Sequence, residues 1–289
     1  MITPKRSTSM TEKAPRFSSY SRFSLDLKHH GLEYAAEHAA ALGFDSVEFL
    51  GLSPAADDPA RVREILRRNG LTVSCYSVAA TLRDTPKRTK AEAMEILRRS
   101  AELAAEIGSP YLHHTVVSSI AVDRGAPPFE GILEELLDAA EEIARYAESL
   151  GLTVLYEPQG MYVNGDGLDR FFGEMQKRCK SVGICGDVGN SLFVDHAPEQ
   201  VFLRFSREIR HVHLKDYAVF RSPKEDETCY ETRGGLYLAE RELGRGEVQL
   251  AKCIASLKAA GYTGAYSLET LGDDESTKRE LAYARSLLG

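Results

Sequence analysis

The chain has 289 residues, of which 43% are hydrophobic and 27% charged, and its formal net charge is -7. This composition is typical of a globular domain with a large core, and the acidic balance argues against a nucleic-acid partner, which needs a basic face. No apolar run approaches the roughly 18 residues of a membrane span, and the 5 scattered cysteines argue against a disulfide framework. We therefore expect a cytoplasmic protein without a nucleic-acid or membrane partner.

Residues 1–15 are polar and are predicted to form a disordered tail rather than a signal peptide. Beyond them, β-rich runs alternate with amphipathic runs. The β-rich runs predict strands over Arg16–Ser21, Ser46–Leu50, Thr72–Ser77, Tyr111–Thr115, Thr153–Glu157, Ser181–Asp187, His211–Lys215 and Ala265–Glu269. The amphipathic runs predict helices over Leu25–Leu42, Pro59–Asn69, Lys90–Ile107, Phe129–Leu150, Leu168–Arg178, Pro198–Phe205, Val248–Ala260 and Glu275–Leu288. Glycines placed to end helices with a left-handed residue are Gly43, Gly70, Gly108, Gly151 and Gly261.

A strand followed by a helix, repeated along the whole chain, predicts an α/β fold over residues 16–289, a single (β/α)8 TIM barrel. The rival is a doubly wound sheet, which usually has fewer units and a switch point in its strand order. One connection is unusually long, because residues 217–247 separate the seventh strand from its helix. Since this segment leaves the C-terminal end of a barrel strand, we expect it to be a lid loop over an active site.

Polar residues fall at the ends of four successive predicted strands. Glu157 ends the fifth, Asp187 ends the sixth, His211 and His213 lie in the seventh, and Glu269 ends the eighth. Strand C-termini of a parallel barrel meet at one mouth, where three carboxylates would repel each other unless a cation were bound. Such oxygen-rich ligands with an imidazole suit one divalent metal, either Mn²⁺, Mg²⁺, Co²⁺ or Zn²⁺. The rival interpretation is that each acidic residue merely caps a following helix or turn.

Several segments resemble the xylose isomerase-like superfamily of sugar isomerases and epimerases, namely YEP, GICGDVGN, HVHLKD, LGRGE and GYTGAYSLE. This superfamily includes ketose 3-epimerases, hydroxypyruvate isomerase, inosose dehydratase and endonuclease IV-type nucleases. The resemblance implies that the metal ligands are Glu157, Asp187, His213 and Glu269. It leaves His211 either as a neighbouring residue of the pocket or as a residue that contacts the ligands from behind.

The resemblance also implies a reaction in which a metal-stabilised enediolate forms from a small sugar or sugar-like hydroxy-carbonyl compound. Glu157 and Glu269 would then remove and return the proton, which gives isomerisation or epimerisation. Two positions depart from the ketose 3-epimerase pattern: Asn190 replaces a histidine common in relatives, and Val219 replaces an arginine. Both changes favour the HxHxKD branch, in which Lys215 faces the pocket and can bind a carboxylate or stabilise an enolate.

Candidate substrate contacts near the mouth are Lys215, Asn190, His211, His114, Glu48 and Gln159. His114 is preferred to His113 as the inward-facing histidine because it lies nearer the end of its strand, and strand alternation lets only one of them face inward. Glu48 could equally be a simple rim carboxylate, and either histidine could be purely structural. Asp216 is expected to fix the geometry of the loop or of the lysine, and Tyr20 could line the pocket or simply pack.

Three alternatives to an isomerase stay open. The first is a metal-dependent dehydratase of the inosose or dehydroshikimate type, which would expel a β-hydroxyl instead of returning a proton to carbon. The second is an endonuclease IV-like phosphodiesterase, which needs more histidine ligands and a basic face. The third is a non-catalytic ligand-binding barrel. The sequence does not distinguish phosphorylated from free substrates, and it is compatible with a homo-oligomer.

Overall fold

A computed structural model describes residues 15–51, 58–118, 122 and 127–289. Apart from its last residue, the predicted tail over residues 1–15 lies outside the described residues. None of the helices in the described ranges combines the length and the apolar character that crossing a bilayer requires.

Eight parallel strands close into a barrel, which confirms the predicted fold class. The first seven are β1 (Arg16–Ser19), β2 (Ser46–Leu50), β3 (Thr72–Val78), β4 (Tyr111–His114), β5 (Thr153–Tyr156), β6 (Val182–Asp187) and β7 (Ile209–Leu214). The eighth barrel strand is numbered β11 (Ala265–Leu268), because three strands of a separate sheet precede it in the chain. The barrel closes where β1 pairs with β11, with Arg16 opposite Ala265 and Ser19 opposite Leu268. Every strand C-terminus therefore lies at the same mouth.

Helices surround the barrel. Within the described residues they are α1 (Ser21–His30), α2 (Leu32–Leu42), α3 (Pro59–Arg68), α4 (Lys90–Ile107), α5 (Phe129–Ser149), α6 (Asp166–Arg178), α7 (Pro198–Phe205), α8 (Leu250–Ala259) and α9 (Asp274–Leu288). The single helix predicted over Leu25–Leu42 is wrong, because Gly31, with φ of 86° and ψ of 177°, breaks it into α1 and α2. The five glycines predicted to end helices all have positive φ angles, as a left-handed cap requires.

Residues 217–247, the predicted lid loop, contain regular structure. They include most of an antiparallel sheet formed by β8 (Asp216–Phe220), β9 (Tyr230–Glu231) and β10 (Tyr237–Arg241). The carboxylate of Asp216 accepts hydrogen bonds from the backbone N–H groups of Tyr217, Gly244, Gly246 and Val248. Asp216 thus ties both ends of the segment to the barrel, as the sequence suggested.

Strand alternation sorts the barrel interior into layers, because every second residue faces the same side. One of these layers contains Cys75, Leu155 and Cys185, which pack together with Tyr111. Two residues further along the corresponding strands lie Ser77, Glu157 and Asp187, all with exposures of 3% or less. Most of the apolar core lies between the strands and the surrounding helices, and buried polar residues such as Glu48 and His211 lie inside the barrel in register with Cys75 and Cys185.

Candidate metal centre

Four predicted side chains meet at the barrel mouth. Glu157 follows β5, Asp187 ends β6, His213 lies near the end of β7, and Glu269 follows β11. One potential ligand atom from each lies within 4.8 Å of the corresponding atom of every other. Parallel pairing explains this convergence, since Asp187 is opposite His213 in register and His213 is opposite Ser267, two residues before Glu269.

His213 presents its Nδ1 atom to this cluster. Nδ1 lies 2.8 Å from Glu157 Oε1, 3.0 Å from Glu269 Oε2 and 4.0 Å from Asp187 Oδ2. Its Nε2 atom points the other way and lies 2.9 Å from Glu48 Oε1. The ring stacks on Tyr20, with ring centroids 4.9 Å apart, so its plane is fixed from the side as well.

Lys215 brings a cation into the same cluster. Its Nζ lies 2.9 Å from Asp187 Oδ2 and 3.0 Å from Glu269 Oε2. Nζ also donates to Asn190 Oδ1 at 3.3 Å. Although burial by itself lowers the pKa of Lys215, the two carboxylates hold that pKa well above its usual value. The ammonium group is therefore charged and offsets part of the negative charge of the cluster.

The carboxylates have unequal proton affinities. Burial, together with repulsion by Glu157 and Glu269, raises the pKa of Asp187 to about 6 despite the opposing effect of Lys215. Burial would also raise the pKa of Glu157, but hydrogen bonds and charge from His113 and His213 hold it well below its usual value. Burial is thus the main cause of the raised pKa of Asp187, and repulsion by the two neighbouring glutamates adds to it.

The donor set suits a divalent cation. Asp187 Oδ2 and Glu269 Oε2 are buried oxygens that accept no hydrogen bond of normal geometry from the described residues, although Lys215 ion-pairs with both. The other oxygen of Asp187 accepts backbone N–H groups of Gly189 and Asn190 at 2.8 and 2.6 Å, which fixes the carboxylate. Three carboxylates and one imidazole aimed at a common point are the ligands that Mg²⁺, Mn²⁺ and related ions accept.

A cavity of about 370 Å³ opens beside the cluster. Three of the predicted substrate contacts line it, namely Gln159, Asn190 and Lys215. The small sheet supplies another wall through Tyr217, Tyr230, Glu240 and Arg241, which the sequence reasoning did not single out because it treated this segment as an irregular loop. Arg241 pairs with Glu227 at 2.6 Å and so carries a carboxylate partner of its own.

The remaining predicted contacts lie elsewhere. Glu48 and His211 are fully buried beneath the cluster and do not line the cavity. The choice of His114 as the inward-facing histidine is wrong, because its ring lies edge-on to Tyr156 on the helix side of the barrel wall. His113 faces inward instead, with Nε2 3.6 Å from Glu157 Oε2. Register gives the reason, since His113 is level with Leu155, which shares its face with Glu157.

Comparisons with known proteins agree with this architecture. A family model for the xylose isomerase-like TIM barrel matches residues 36–287. Among curated protein sequences, none matches the chain. Solved structures that resemble it include a xylose isomerase-like TIM barrel protein from Mycobacterium smegmatis in complex with magnesium, at 17% identity and a TM-score of 0.73, covering 94% of this chain and 96% of that one.

Two epimerases also share the fold. One is D-allulose 3-epimerase from Methylomonas sp., with 18% identity, a TM-score of 0.73 and coverage of 95% of this chain and 98% of that one. The other is 3-keto-D-glucoside 4-epimerase from E. coli, with 16% identity, a TM-score of 0.73 and coverage of 94% and 99%. The family match covers most of the chain, and the chain belongs to the xylose isomerase-like TIM barrel family.

Proposed function

We propose that this xylose isomerase-like TIM barrel is a divalent-metal-dependent isomerase or epimerase of a small sugar or sugar-like hydroxy-carbonyl compound. The observation that carries the proposal is the convergence of Glu157, Asp187, His213 and Glu269 within 4.8 Å at the barrel mouth, beside a cavity of substrate size. The sugar epimerases among the structures that share this fold support it.

The four clustered side chains would hold the metal. When bound there, a divalent cation supplies the positive charge that stabilises the oxyanion formed when a C–H group next to a carbonyl loses its proton. His213 would contribute Nδ1, since its Nε2 is held by Glu48. Lys215 would remain beside Asp187 and Glu269, where its charge also favours a developing negative oxygen.

Glu157 and Glu269 are the proposed acid and base. Burial would raise the pKa of Glu269, but Lys215 and His213 lower it, so that both glutamates are ionised at neutral pH and can accept a proton. A carboxylate that has taken the proton from one carbon can return it to the neighbouring carbon, and when the hydroxyl proton also moves to the former carbonyl oxygen the result is isomerisation. Return of a proton from the opposite side by the second carboxylate is epimerisation.

Two amide side chains are suited to bind substrate hydroxyl groups. Asn190 Nδ2 and Gln159 Oε1 are buried polar atoms without a hydrogen-bond partner among the described residues, and both side chains line the cavity. One is a donor and the other an acceptor, which matches the two ways in which a hydroxyl bonds. Because leaving such groups unpaired costs free energy, a polyhydroxylated substrate fits this cavity better than an apolar one.

A dehydratase acting on a related hydroxy-carbonyl compound is the second candidate. It is favoured by Lys215, whose charge can stabilise an enolate, and by Asn190, which stands where many 3-epimerases have a proton-carrying histidine. The site would remove the same proton but then expel a β-hydroxyl. Both reactions begin identically at Glu157 or Glu269, so only the product distinguishes them.

The test uses the full-length protein, stripped with chelator and reloaded with Mn²⁺, Mg²⁺, Co²⁺ or Zn²⁺, against a panel of ketoses, inososes and dehydroshikimate. In D₂O, an epimerase that uses both carboxylates should yield a product of unchanged composition with deuterium at the reacting carbon, an isomerase that returns the same proton should yield one that keeps hydrogen there, and a dehydratase should yield a product that has lost water. Glu157→Gln and Glu269→Gln should each abolish turnover, and the surface variant Glu174→Gln should retain it. Normal turnover by either site variant, or full activity after chelation, would refute the proposal.

A further inference from the structure

We propose that Glu48 is a positioning residue of the metal centre, which orients His213 and His113 from beneath and presents His213 Nδ1 to the metal. This inference rests on the proposed metal site. The sequence suggested a substrate contact for Glu48, but its side chain is 0% exposed and lies outside the cavity lining.

The Glu48 carboxylate accepts hydrogen bonds at both oxygens. Oε1 is bonded to His213 Nε2 at 2.9 Å and to the hydroxyl of Ser77. Oε2 is bonded to His211 Nε2 at 2.7 Å and to the hydroxyl of Ser267. A carboxylate offers about four acceptor positions, and all of them are used here. The donors come from β3, β7 and β11, so one side chain on β2 joins strands around the barrel.

This arrangement determines which nitrogen of His213 can bind a metal. An ionised carboxylate only accepts hydrogen bonds, so Nε2 must carry the proton that points at Glu48. Nδ1 lies 2.8 Å from Glu157 Oε1 and carries a proton as long as no cation is present, and a bound cation would displace this proton rather than the one that Nε2 donates to Glu48. A carboxylate behind a metal-binding histidine commonly fixes its tautomer and orientation in this way.

Glu48 is also connected to Glu157 through Ser77 and His113. The Ser77 hydroxyl donates its single proton to Glu48, so it must accept from His113 Nδ1, which lies 2.8 Å away. His113 Nε2 in turn faces Glu157 Oε2 at 3.6 Å. Glu157 therefore lies between two histidines, and both are bonded to Glu48, His213 directly and His113 through Ser77.

Glu48→Gln tests this role, because it keeps the shape of the side chain but replaces one acceptor oxygen by a donor. The matched control is Asp26→Asn. Asp26 lies on α1 and is another buried carboxylate that pairs with a histidine, since its Oδ2 lies 2.7 Å from His38 Nδ1. We expect Glu48→Gln to weaken Mn²⁺ binding, measured by calorimetry on the full chain, by about 10- to 100-fold. Asp26→Asn should stay within about twofold of the unsubstituted protein.

A spectroscopic measurement on the unsubstituted protein does not depend on how the variant folds. In the Co²⁺-loaded protein, the Nε2 proton of His213 should give a paramagnetically shifted ¹H NMR signal that exchanges slowly with solvent, because Glu48 holds it. In Glu48→Gln the signal should be lost or exchange faster. Absence of a slowly exchanging signal in the unsubstituted protein would overturn the inference.

The outcomes separate this inference from the proposed function. Unsubstituted protein that binds Mn²⁺, with Glu48→Gln binding it within about twofold, would overturn the role of Glu48 and leave the metal centre standing. Equal weakening by Glu48→Gln and Asp26→Asn would show a general loss of stability and would also overturn it. Failure of the unsubstituted protein to bind either metal would overturn the metal centre and, with it, this inference.

Discussion

Replacement of Lys215 by methionine removes the cation that balances the site in the metal-free protein. Its Nζ lies 2.9 Å from Asp187 and 3.0 Å from Glu269, and its side chain is only 9% exposed. Each contact has a gross Coulomb energy of about 5 kcal/mol at an effective dielectric of about 20, but desolvation of the lysine offsets much of it. Removing one partner of such a buried pair typically costs about 3–5 kcal/mol, because the opposing charge stays buried.

We therefore expect Lys215→Met to lower the melting temperature of the metal-free protein by about 6–20 °C, at roughly 2–4 °C per kcal/mol. Saturating Mn²⁺ should restore a large part of the loss, since the metal neutralises the same carboxylates. The matched control is Lys252→Met, whose lysine is 63% exposed and lies 3.6 Å from Glu199, and it should change stability by no more than about 0.5 kcal/mol. Equal melting temperatures of the two variants in scanning calorimetry, or no restoration by Mn²⁺, would refute the reasoning.

Three further predictions concern protons and substrate. The pKa of Asp187 is raised to about 6, so below that pH the metal must displace one proton more than above it, and the Kd for Mn²⁺ should rise by a further factor of about ten per pH unit; an equal pH slope of the Kd above and below pH 6 would contradict this. Burial lowers the pKa of His114 to about 4, and unfolding restores its usual value of 6.5. The unfolded chain therefore binds a proton that the folded chain does not bind between pH 6.5 and 4. The free energy of unfolding should fall by roughly 3 kcal/mol as the pH drops through this range. Urea titrations of His114→Gln should lack this part of the acid sensitivity, and an unchanged pH slope would count against it. Asn190→Ala should lower kcat/KM about fivefold to tenfold, because one hydrogen bond to the substrate is lost, and should leave the Kd for Mn²⁺ within about threefold. An equal loss of kcat/KM and of Mn²⁺ affinity would place Asn190 at the metal instead.

The sequence determined the fold because hydrophobic periodicity and helix-ending glycines are local signals. Strand β2 and helices α4 and α7 have the predicted bounds, and the closed barrel follows from their regular alternation. The break at Gly31 escaped prediction because the apolar spacing continues across it. The sheet in residues 216–241 escaped because β9 is only two residues long and because β10 pairs with β8 and β9 instead of with a barrel strand.

The three carboxylates that converge at the mouth could also be found from the sequence, since each ends a predicted strand and parallel strands end at one rim, whereas the choice of His213 over His211 came from the family resemblance. What only the tertiary structure decided is which face each neighbouring side chain occupies. His113 rather than His114 faces Glu157, and Glu48 lies under His213 instead of in the cavity. The physical reason is register: alternation along a strand gives two faces, but only the pairing between strands, closed around the barrel, fixes which face and which height a residue has.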